Sequence, residues 1–141
     1  MNTNDVIRLI SAVRHRANEL IVNELAKAGI KNIVPSHGYI LFNLFKKDGL
    51  AMKEITQKIG KRKNTVTVLI DKLVLHGYIR KEADADDRRR TRIYLSQKGK
   101  SFEHVFNGIS KKLLDAVYKG FSEEEKRTLM KLLEKIENNL R

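Results

Sequence analysis

The sequence predicts a mainly α-helical fold that contains a single two-stranded β-hairpin. Apolar residues recur at three- and four-residue steps along most of the chain, which is the spacing of one face of an α-helix. Residues 78–96 depart from this spacing and carry two short runs of β-branched and aromatic residues around a polar segment, a pattern typical of a hairpin. The chain has 141 residues and no cysteine, so we expect one ordinary core without disulfides and no thiol-based sensing.

Two helices are expected at the beginning of the chain. The first covers residues 5–28, and Gly29 follows it at the place where a left-handed cap commonly ends a helix. The second begins near Pro35–Ser36, with Ser36 as the N-cap, and ends at Asp48–Gly49. The apolar stripe of the first helix consists of Val6, Leu9, Ile10, Val13, Ala17, Leu20, Ile21 and Leu25.

A helix-turn-helix is predicted next. A short helix over residues 52–59 ends at Gly60, and a further helix over residues 64–76 ends at Gly77. Two helices joined by a turn of about four residues have the outline of this motif. The side chains of the second helix that are expected to face the core are Val66, Leu69, Ile70 and Leu73.

The hairpin follows the helix-turn-helix and forms a wing beside it. Residues 78–82 and 92–96 are the expected strands, and the charged segment 83–91 joins them. A lone hairpin of this size is marginally stable in water. We therefore expect the wing to pack against the helices that precede it.

Two long helices complete the chain. Ser96 is expected to cap the first, over residues 97–119, and Ser122 opens a capping box for the last, over residues 123–140. The apolar stripes of the terminal helices are too extensive for the central region to cover, and the simplest remedy is a second copy of the chain. The alternative is that these helices cover one another within a monomer. The residues expected at a dimer interface are Val6, Ile10, Val13, Leu129, Leu132, Leu133, Ile136 and Leu140.

Positive charge is concentrated in the middle of the chain. The formal net charge is +12, and residues 52–100 hold 14 Lys and Arg against 6 Asp and Glu, a net of +8. A basic balance of this size favours polyanions such as DNA, RNA or an anionic membrane surface. Charge that only kept the protein soluble would have no reason to gather in one region, so we expect a nucleic-acid interface there.

The helix predicted over residues 64–76 carries the first candidate interface. With its apolar face turned inward, the polar residues at its start point outward, where a recognition helix reads bases in the major groove. Asparagine can pair with adenine, threonine can donate or accept a hydrogen bond, and an apolar side chain can touch a thymine methyl group. The alternative is a solvated surface helix. The candidate DNA-binding residues are Arg62, Lys63, Asn64, Thr65, Thr67, Val68 and Lys72.

The tip of the hairpin carries the second candidate interface. Arg88, Arg89 and Arg90 follow one another there, and arginine suits phosphate oxygens and a narrow minor groove. Three aspartates lie nearby, and we expect one of them to pair with an arginine and fix its orientation through a bidentate contact. The alternative is a solvated charged loop.

Residues 36–100 resemble the MarR family of winged helix-turn-helix regulators. The stretch LAMKEITQKIGKRKNTVTVLIDKLVLHGYI is similar to the helix-turn-helix of that family, and DADDRRRTRIYLSQKGK is similar to its wing signature. Counting back from Leu95, the resemblance places the family's Asp-x-Arg pair on Asp87 and Arg89. The residues that it places on positions facing bases or phosphates are Lys63, Asn64, Thr65 and Thr67.

The resemblance implies a mainly α-helical winged helix-turn-helix fold with a two-stranded β wing, in which the N- and C-terminal helices form a dimerisation region. Residues 1–34 and 97–141 would supply the dimerisation helices, and residues 35–96 the DNA-binding region, within a single intertwined domain. Two positions depart from the family pattern: Asn64 replaces a common serine, and Val68 stands where an arginine often lies. These departures concern the preferred DNA sequence rather than binding itself.

The function that the resemblance implies is sequence-specific binding of double-stranded DNA in transcription regulation. A homodimer would bind a pseudo-palindromic operator, and the expected form is a repressor that a small lipophilic or aromatic anionic effector releases. The alternatives are a non-specific architectural DNA-binding protein and an RNA-binding winged helix. The RNA alternative lacks support because the sequence offers no aromatic stacking platform.

No enzyme, cofactor or metal site is expected. No catalytic arrangement is legible in the sequence, and the four histidines lack the spacing of a zinc site. Of these, His37 and His104 are expected to be surface or capping residues. No apolar run is long enough to span a membrane and the N-terminus lacks an export signal, so we expect a cytoplasmic protein without membrane contact.

Overall fold

Seven α-helices and three short β-strands form the chain in a computed structural model that describes all residues from Met1 to Arg141. The helices are α1 (Val6–Lys27), α2 (Pro35–Lys46), α3 (Met52–Ile59), α4 (Lys63–Leu75), α5 (Gln97–Ser101), α6 (Glu103–Val117) and α7 (Glu123–Asn139). The strands are β1 (Leu50–Ala51), β2 (Ile79–Ala83) and β3 (Thr91–Leu95). The prediction of a mainly helical fold with a wing is confirmed.

The chain divides into two compact units, Met1–Ile109 and Ser110–Arg141. The first unit holds the hydrophobic core, because α2, α3, α4 and β3 each turn an apolar face toward it. Phe106 is fully buried in this core, and its ring lies 5.6 Å from that of Phe42, edge to face. The fully buried side chains of the core include Leu25, Ile40, Leu41, Leu44, Ile55, Val66, Ile70, Leu73 and Ile93.

The second unit contains the end of α6, a turn and α7. Gly120 adopts a positive φ of 81° in the turn, a conformation that costs glycine little. Ser122 caps α7 as predicted, because its hydroxyl accepts the amide of Glu125 while the Glu125 carboxylate accepts the amide of Ser122. The Tyr118 and Phe121 rings pack against each other, 5.6 Å apart.

The start of α2 differs from the prediction. Val34 rather than Ser36 is the N-cap, and Pro35 occupies the first helical position. Proline fits that position because its fixed φ is already helical and the missing N–H has no partner there in any helix. The His37 ring completes the cap, since its Nδ1 accepts the Val34 amide at 3.1 Å.

The single helix predicted over residues 97–119 is two helices, α5 and α6, with a break at Phe102. Gly99 approaches Tyr78, the residue before strand β2, so closely that a Cβ there would lie 2.1 Å from the Tyr78 carbonyl oxygen. At the break, the Phe102 ring packs on the Tyr78 ring, with centroids 5.5 Å apart. Ser96 caps α5 as predicted, by accepting the Gly99 amide.

The β2–β3 hairpin is present as predicted, but a third strand joins it. The sheet is antiparallel with the order β1-β3-β2. Leu50 of β1 pairs with Ile93 of β3, while Leu95 at the end of β3 pairs with Ile79 at the start of β2. Because β1 runs directly into α3, it joins the wing to the first helix of the helix-turn-helix.

Candidate nucleic-acid interface

Helices α3 and α4 form the predicted helix-turn-helix. Gly60 ends α3 with a left-handed φ of 68°, and α4 starts three residues later. Val66, Ile70 and Leu73 of α4 are buried, whereas Leu69, which was also expected in the core, is only partly buried. The core face of α4 is therefore narrower than the sequence pattern suggested.

The opposite face of α4 is open to solvent. Asn64, Thr65, Val68 and Lys72 are exposed, and Thr67 is partly exposed. No side chain caps the helix, whose first internal hydrogen bond joins the Val66 amide to the Arg62 carbonyl. The amides of the three preceding residues therefore point outward, where they favour an anion such as a phosphate.

The wing tip, defined as residues 84–90, presents three arginines to solvent. It is closed by two backbone hydrogen bonds, from the Asp84 amide to the Arg90 carbonyl and from the Arg90 amide to the Asp87 carbonyl, each 2.9 Å. Arg89 Nε lies 3.3 Å from Asp87 Oδ1, and the Arg89 side chain is 92% exposed. The pair that the resemblance predicted exists, but it is a single exposed contact rather than a bidentate one, and such contacts hold a side chain weakly.

A stronger ion pair lies at the base of the wing tip, and the sequence reading missed it. Arg92 Nε donates to Asp84 Oδ2 at 2.7 Å, and Arg92 Nη1 donates to the Gly49 carbonyl at 2.8 Å. Asp84 is only 6% exposed. The Asp86 amide and the Arg92 guanidinium, which both bond to this carboxylate, hold its pKa below the usual range. The sequence signal for this pair was an acid just after the first strand of the hairpin and a base within the second, but four arginines and three aspartates in this segment allow many pairings.

A second ion pair joins the wing to α4. The Lys81 ammonium of β2 donates to the Asp71 carboxylate of α4. Together with the contact of Arg92 to Gly49, this pair connects the hairpin to both sides of the helix-turn-helix. Because the Lys81–Asp71 pair is exposed and therefore weak, the buried side chains of Ile79 and Ile93 are the stronger anchors of the wing, and its tip stays exposed.

A concavity of about 690 Å³ lies between α3, the start of α4 and the wing tip. We call it the basic concavity, because four cations and no carboxylate line it. Its charged residues are Lys53, Lys63, Arg89 and Arg90, and its other lining residues are Ala51, Met52, Thr56, Gln57 and Thr91. The structure thereby brings together cations from the two interfaces that the sequence predicted separately.

His37 was expected to be a surface or a capping residue. It is buried, so the surface alternative is wrong, and it does cap a helix. It is 2% exposed, its Nδ1 accepts the Val34 amide, and its Nε2 has no partner. Burial, together with the nearby charges of Lys72 and His76, lowers its pKa from 6.5 to about 4. The ring is therefore neutral at pH 7 and serves α2 rather than the surface.

No group of three or more histidine and carboxylate side chains converges in a way that could hold a metal ion. None of the helices combines the length and the apolar character needed to cross a membrane.

Known proteins share this architecture. A model of the MarR family matches residues 32–90. Over 139 residues the chain is 21% identical to YybA, an uncharacterized HTH-type transcriptional regulator of Bacillus subtilis, and the alignment covers 97% of this chain and 89% of that protein. It includes the helix-turn-helix, the wing and most of both terminal helices of this chain.

Solved structures extend the likeness to nearly the whole chain. A MarR transcriptional regulator from Methanosarcina mazei has a TM-score of 0.81 at 24% identity, covering 97% of this chain and 96% of that chain. A MarR mutant from E. coli, crystallised in complex with operator DNA, also has a TM-score of 0.81, at 20% identity, covering 96% of this chain and 99% of that chain. At these identities the likeness establishes the fold, including the terminal helices.

Proposed function

We propose that the protein is a sequence-specific DNA-binding regulator of transcription, since the model of the MarR family, which the sequence resemblance predicted, matches residues 32–90. The observation that carries the proposal is the basic concavity. It joins Lys63, at the uncapped start of α4, to Arg89 and Arg90 of the wing tip. An exposed polar helix face and an arginine-rich hairpin thus border one positive surface, as binding to a DNA duplex requires.

In this proposal α4 enters the major groove and the wing tip reaches the neighbouring minor groove. The exposed polar side chains of α4 contact base edges, while cations and free helix amides contact phosphates. The wing arginines suit the strong negative potential of a narrow minor groove. The residues proposed to contact DNA are Arg62, Lys63, Asn64, Thr65, Thr67, Val68, Lys72, Arg88, Arg89 and Arg90, and Asp87 is proposed to orient Arg89.

We further propose that the chain acts as a homodimer. Support comes from the terminal helices, which leave apolar side chains uncovered in the single chain. Val6, Ile10 and Val13 of α1 are exposed, as are Leu132, Leu133 and Leu140 of α7, while Leu129 and Ile136 are partly buried. Uncovered apolar rows on two long helices favour association with a second copy. A two-fold dimer would present two copies of α4 to the half-sites of a pseudo-palindromic operator.

The regulatory mode that we propose is repression relieved by a small anionic effector. The basic concavity has a volume typical of ligand sites, and it combines the methionine side chain of Met52 with four cations. A small aromatic anion would fit this chemistry. Because Lys63, Arg89 and Arg90 would contact both the anion and DNA, the two would compete. We assign the protein no enzymatic activity.

The proposal is tested by titrating the protein into two labelled duplexes at several salt concentrations. One duplex is the DNA immediately upstream of its own gene, and the other is a scrambled sequence of equal composition. We expect a preference of roughly a thousandfold or more for the upstream DNA. Equal, salt-sensitive binding to both duplexes, and to every site from a random pool, would instead identify an architectural protein. Tighter binding to RNA of the same sequence would favour the RNA-binding alternative.

A further inference from the structure

We propose that Val68 reads the 5-methyl group of a thymine in each operator half-site, so that an apolar contact at the centre of α4 selects a T·A pair. The inference rests on the proposed function and deepens it, because it names a base that the protein selects and the atom group by which it does so. It arises from one exposed valine whose neighbours one turn away on the outward face of α4 are polar or charged: Asn64, Thr65, Asp71 and Lys72.

Val68 has no packing role in the fold of the single chain. It is 67% exposed and lies on the side of α4 opposite the buried Val66, Ile70 and Leu73. A valine in a helix has one strongly preferred χ1 rotamer, so its two methyl groups hold fixed positions. A rigid apolar group therefore stands at the outermost point of the second turn, where a recognition helix lies close to the base edges.

Two neighbours of Val68, Thr67 and Asp71, do not compete with a methyl contact at the pair that Val68 faces. The Thr67 hydroxyl donates to the Lys63 carbonyl at 2.9 Å, so its oxygen can only accept, from an adenine or cytosine amino group. The Asp71 carboxylate, one turn later, is engaged by Lys81. Neither Val68 nor these two side chains offers a free donor for the acceptors of guanine. The apolar group that the major groove does offer is the thymine methyl.

The charge around Val68 favours DNA over a protein partner. Lys63 precedes it on α4 and lines the basic concavity with Arg89 and Arg90, while the exposed Lys72 follows it one turn later. Cations on both sides of a small apolar group match a groove whose floor carries methyl groups and whose edges carry phosphates. An apolar patch for a protein partner would need a wider uncharged surface.

The expected effect of a single methyl group is small but measurable. Burying one methyl group contributes roughly 0.8 kcal/mol, which corresponds to about a fourfold change in Kd. Each half-site supplies one thymine methyl group to this contact. Removing the thymine methyl group from both half-sites therefore weakens binding about 15-fold.

The test is a thymine-to-uracil scan, because uracil differs from thymine only by lacking the 5-methyl group. The operator is first selected from a random duplex pool with the full-length protein. Each thymine of the selected site is then replaced by uracil in both half-sites, and Kd is measured by titration for the wild type and for Val68→Ala. We expect one symmetry-related pair of positions at which uracil weakens the wild type about 15-fold and leaves Val68→Ala unaffected.

Leu75→Ala provides the matched control. Leu75 is also a highly exposed apolar residue on the outward side of α4, but it lies seven residues further along, about 10 Å from Val68 and away from the N-terminal turns. We expect this variant to discriminate thymine from uracil as the wild type does. Both substitutions replace an exposed helical residue by alanine, which favours helices, so the fold is retained.

Two outcomes would overturn the inference and can be told apart. If a specific site is selected but uracil is tolerated at every position, or is disfavoured equally by the wild type and Val68→Ala, the methyl contact is wrong while the proposed function stands. If no site is enriched from the pool, the proposed function fails, and the inference fails with it.

Discussion

Arg92 joins two parts of the chain that lie 35 residues apart, because its guanidinium bonds to the Asp84 carboxylate and to the carbonyl of Gly49. The first contact closes the wing tip on itself, and the second ties the wing to the segment that leads into α3. This side chain therefore links the position of the wing to the helix-turn-helix.

Asp84→Asn is expected to lower the thermal unfolding midpoint by several degrees at pH 7. The buried carboxylate is replaced by a neutral group that cannot form the ion pair with Arg92. Since the folded-state pKa of Asp84 lies below its usual value, its contribution is present above that value and is lost as the pH falls through the folded pKa. The difference between wild type and variant should therefore shrink in strong acid.

The control for this prediction is Asp86→Asn, the same change two residues later at an exposed side chain. Differential scanning calorimetry at pH 7 and below pH 4 measures both variants. Equal midpoints for the two variants at pH 7 would contradict the structural role of Asp84.

Arg89→Ala is expected to weaken binding to specific and unrelated duplexes alike, without changing stability. Its side chain is almost fully exposed and makes one weak ion pair, so the fold does not depend on it. Each protomer would lose one contact with a DNA phosphate. The slope of log binding constant against log salt concentration should therefore become shallower by about one for each protomer. Titrations at several salt concentrations check this, with Lys119→Ala, an exposed cation outside the basic region, as the control. An unchanged salt slope would remove Arg89 from the interface.

Asn64→Ala is expected to change the preference between sequences more than the affinity for unrelated DNA. Asparagine can bond bidentately to adenine, and the loss of such a pair relaxes discrimination by about 1–3 kcal/mol at one base pair. The measurement is the ratio of Kd values for the selected site and a scrambled duplex. If affinity fell equally on every duplex, α4 would not be the helix that reads bases.

Leu132→Glu is expected to dissociate the dimer. Leu132 is 55% exposed in the single chain, so a charge there costs the monomer little but disrupts an apolar interface. Affinity for the full operator should fall roughly a hundredfold, since two linked half-site contacts become independent. Analytical ultracentrifugation and DNA titration measure the two effects together. The control is Lys131→Glu, which places a glutamate away from the apolar row of α7 and should leave the dimer and the DNA affinity intact. A dimeric Leu132→Glu protein would show that Leu132 is not at the dimer interface.

The free energy of unfolding is expected to fall as the pH is lowered from about 6.5 to about 4. The His37 pKa is about 4 in the folded protein, below its ordinary 6.5, so the unfolded chain binds a proton in this window that the folded chain excludes. The stability is fully present above pH 6.5 and decreases by at most about 3 kcal/mol at pH 4. Urea unfolding at pH 7.5 and pH 5 measures it.

His37→Gln should flatten this pH dependence, because glutamine does not titrate and its oxygen can still accept the Val34 amide. His15→Gln, at an exposed histidine of α1, is the control and should keep the slope of the wild type. If both variants kept that slope, the dependence would have another origin.

The sequence predicted the long helices well because their signals are local and repeated. The bounds of α1 and α4 lie within one residue of prediction, since each helix has several apolar turns and a glycine just beyond its end. Strand β1 was missed because two residues cannot display a periodicity, and its pairing with β3 is a contact across 43 positions. The break at Phe102 was missed for a related reason, since the packing of Phe102 on Tyr78 joins residues 24 positions apart.

The sequence predicted which residues belong to the candidate site, but not how they are arranged in space. Charge density located the helix start and the wing tip, but sequence order does not show that Lys63 and Arg89 line one concavity. It also does not show which aspartate is buried, because burial depends on how the hairpin lies on its neighbours. Asp87, whose position matched a known pattern, proved to be weakly paired, and Asp84 carries the stronger contact.

The close approach of Gly99 to Tyr78 has a mechanical consequence. The Tyr78 carbonyl, at the entrance to the hairpin, accepts the Ser96 amide at its exit, and Gly99 lies so near the same carbonyl that no Cβ would fit between them. The two ends of the hairpin and the first turn of α5 therefore all lie close to the Tyr78 carbonyl. Because these three parts of the chain meet at one carbonyl, we expect a rotation of the wing to be coupled to a movement of α5. A single methyl group added at Gly99, as in Gly99→Ala, would force α5 away from Tyr78.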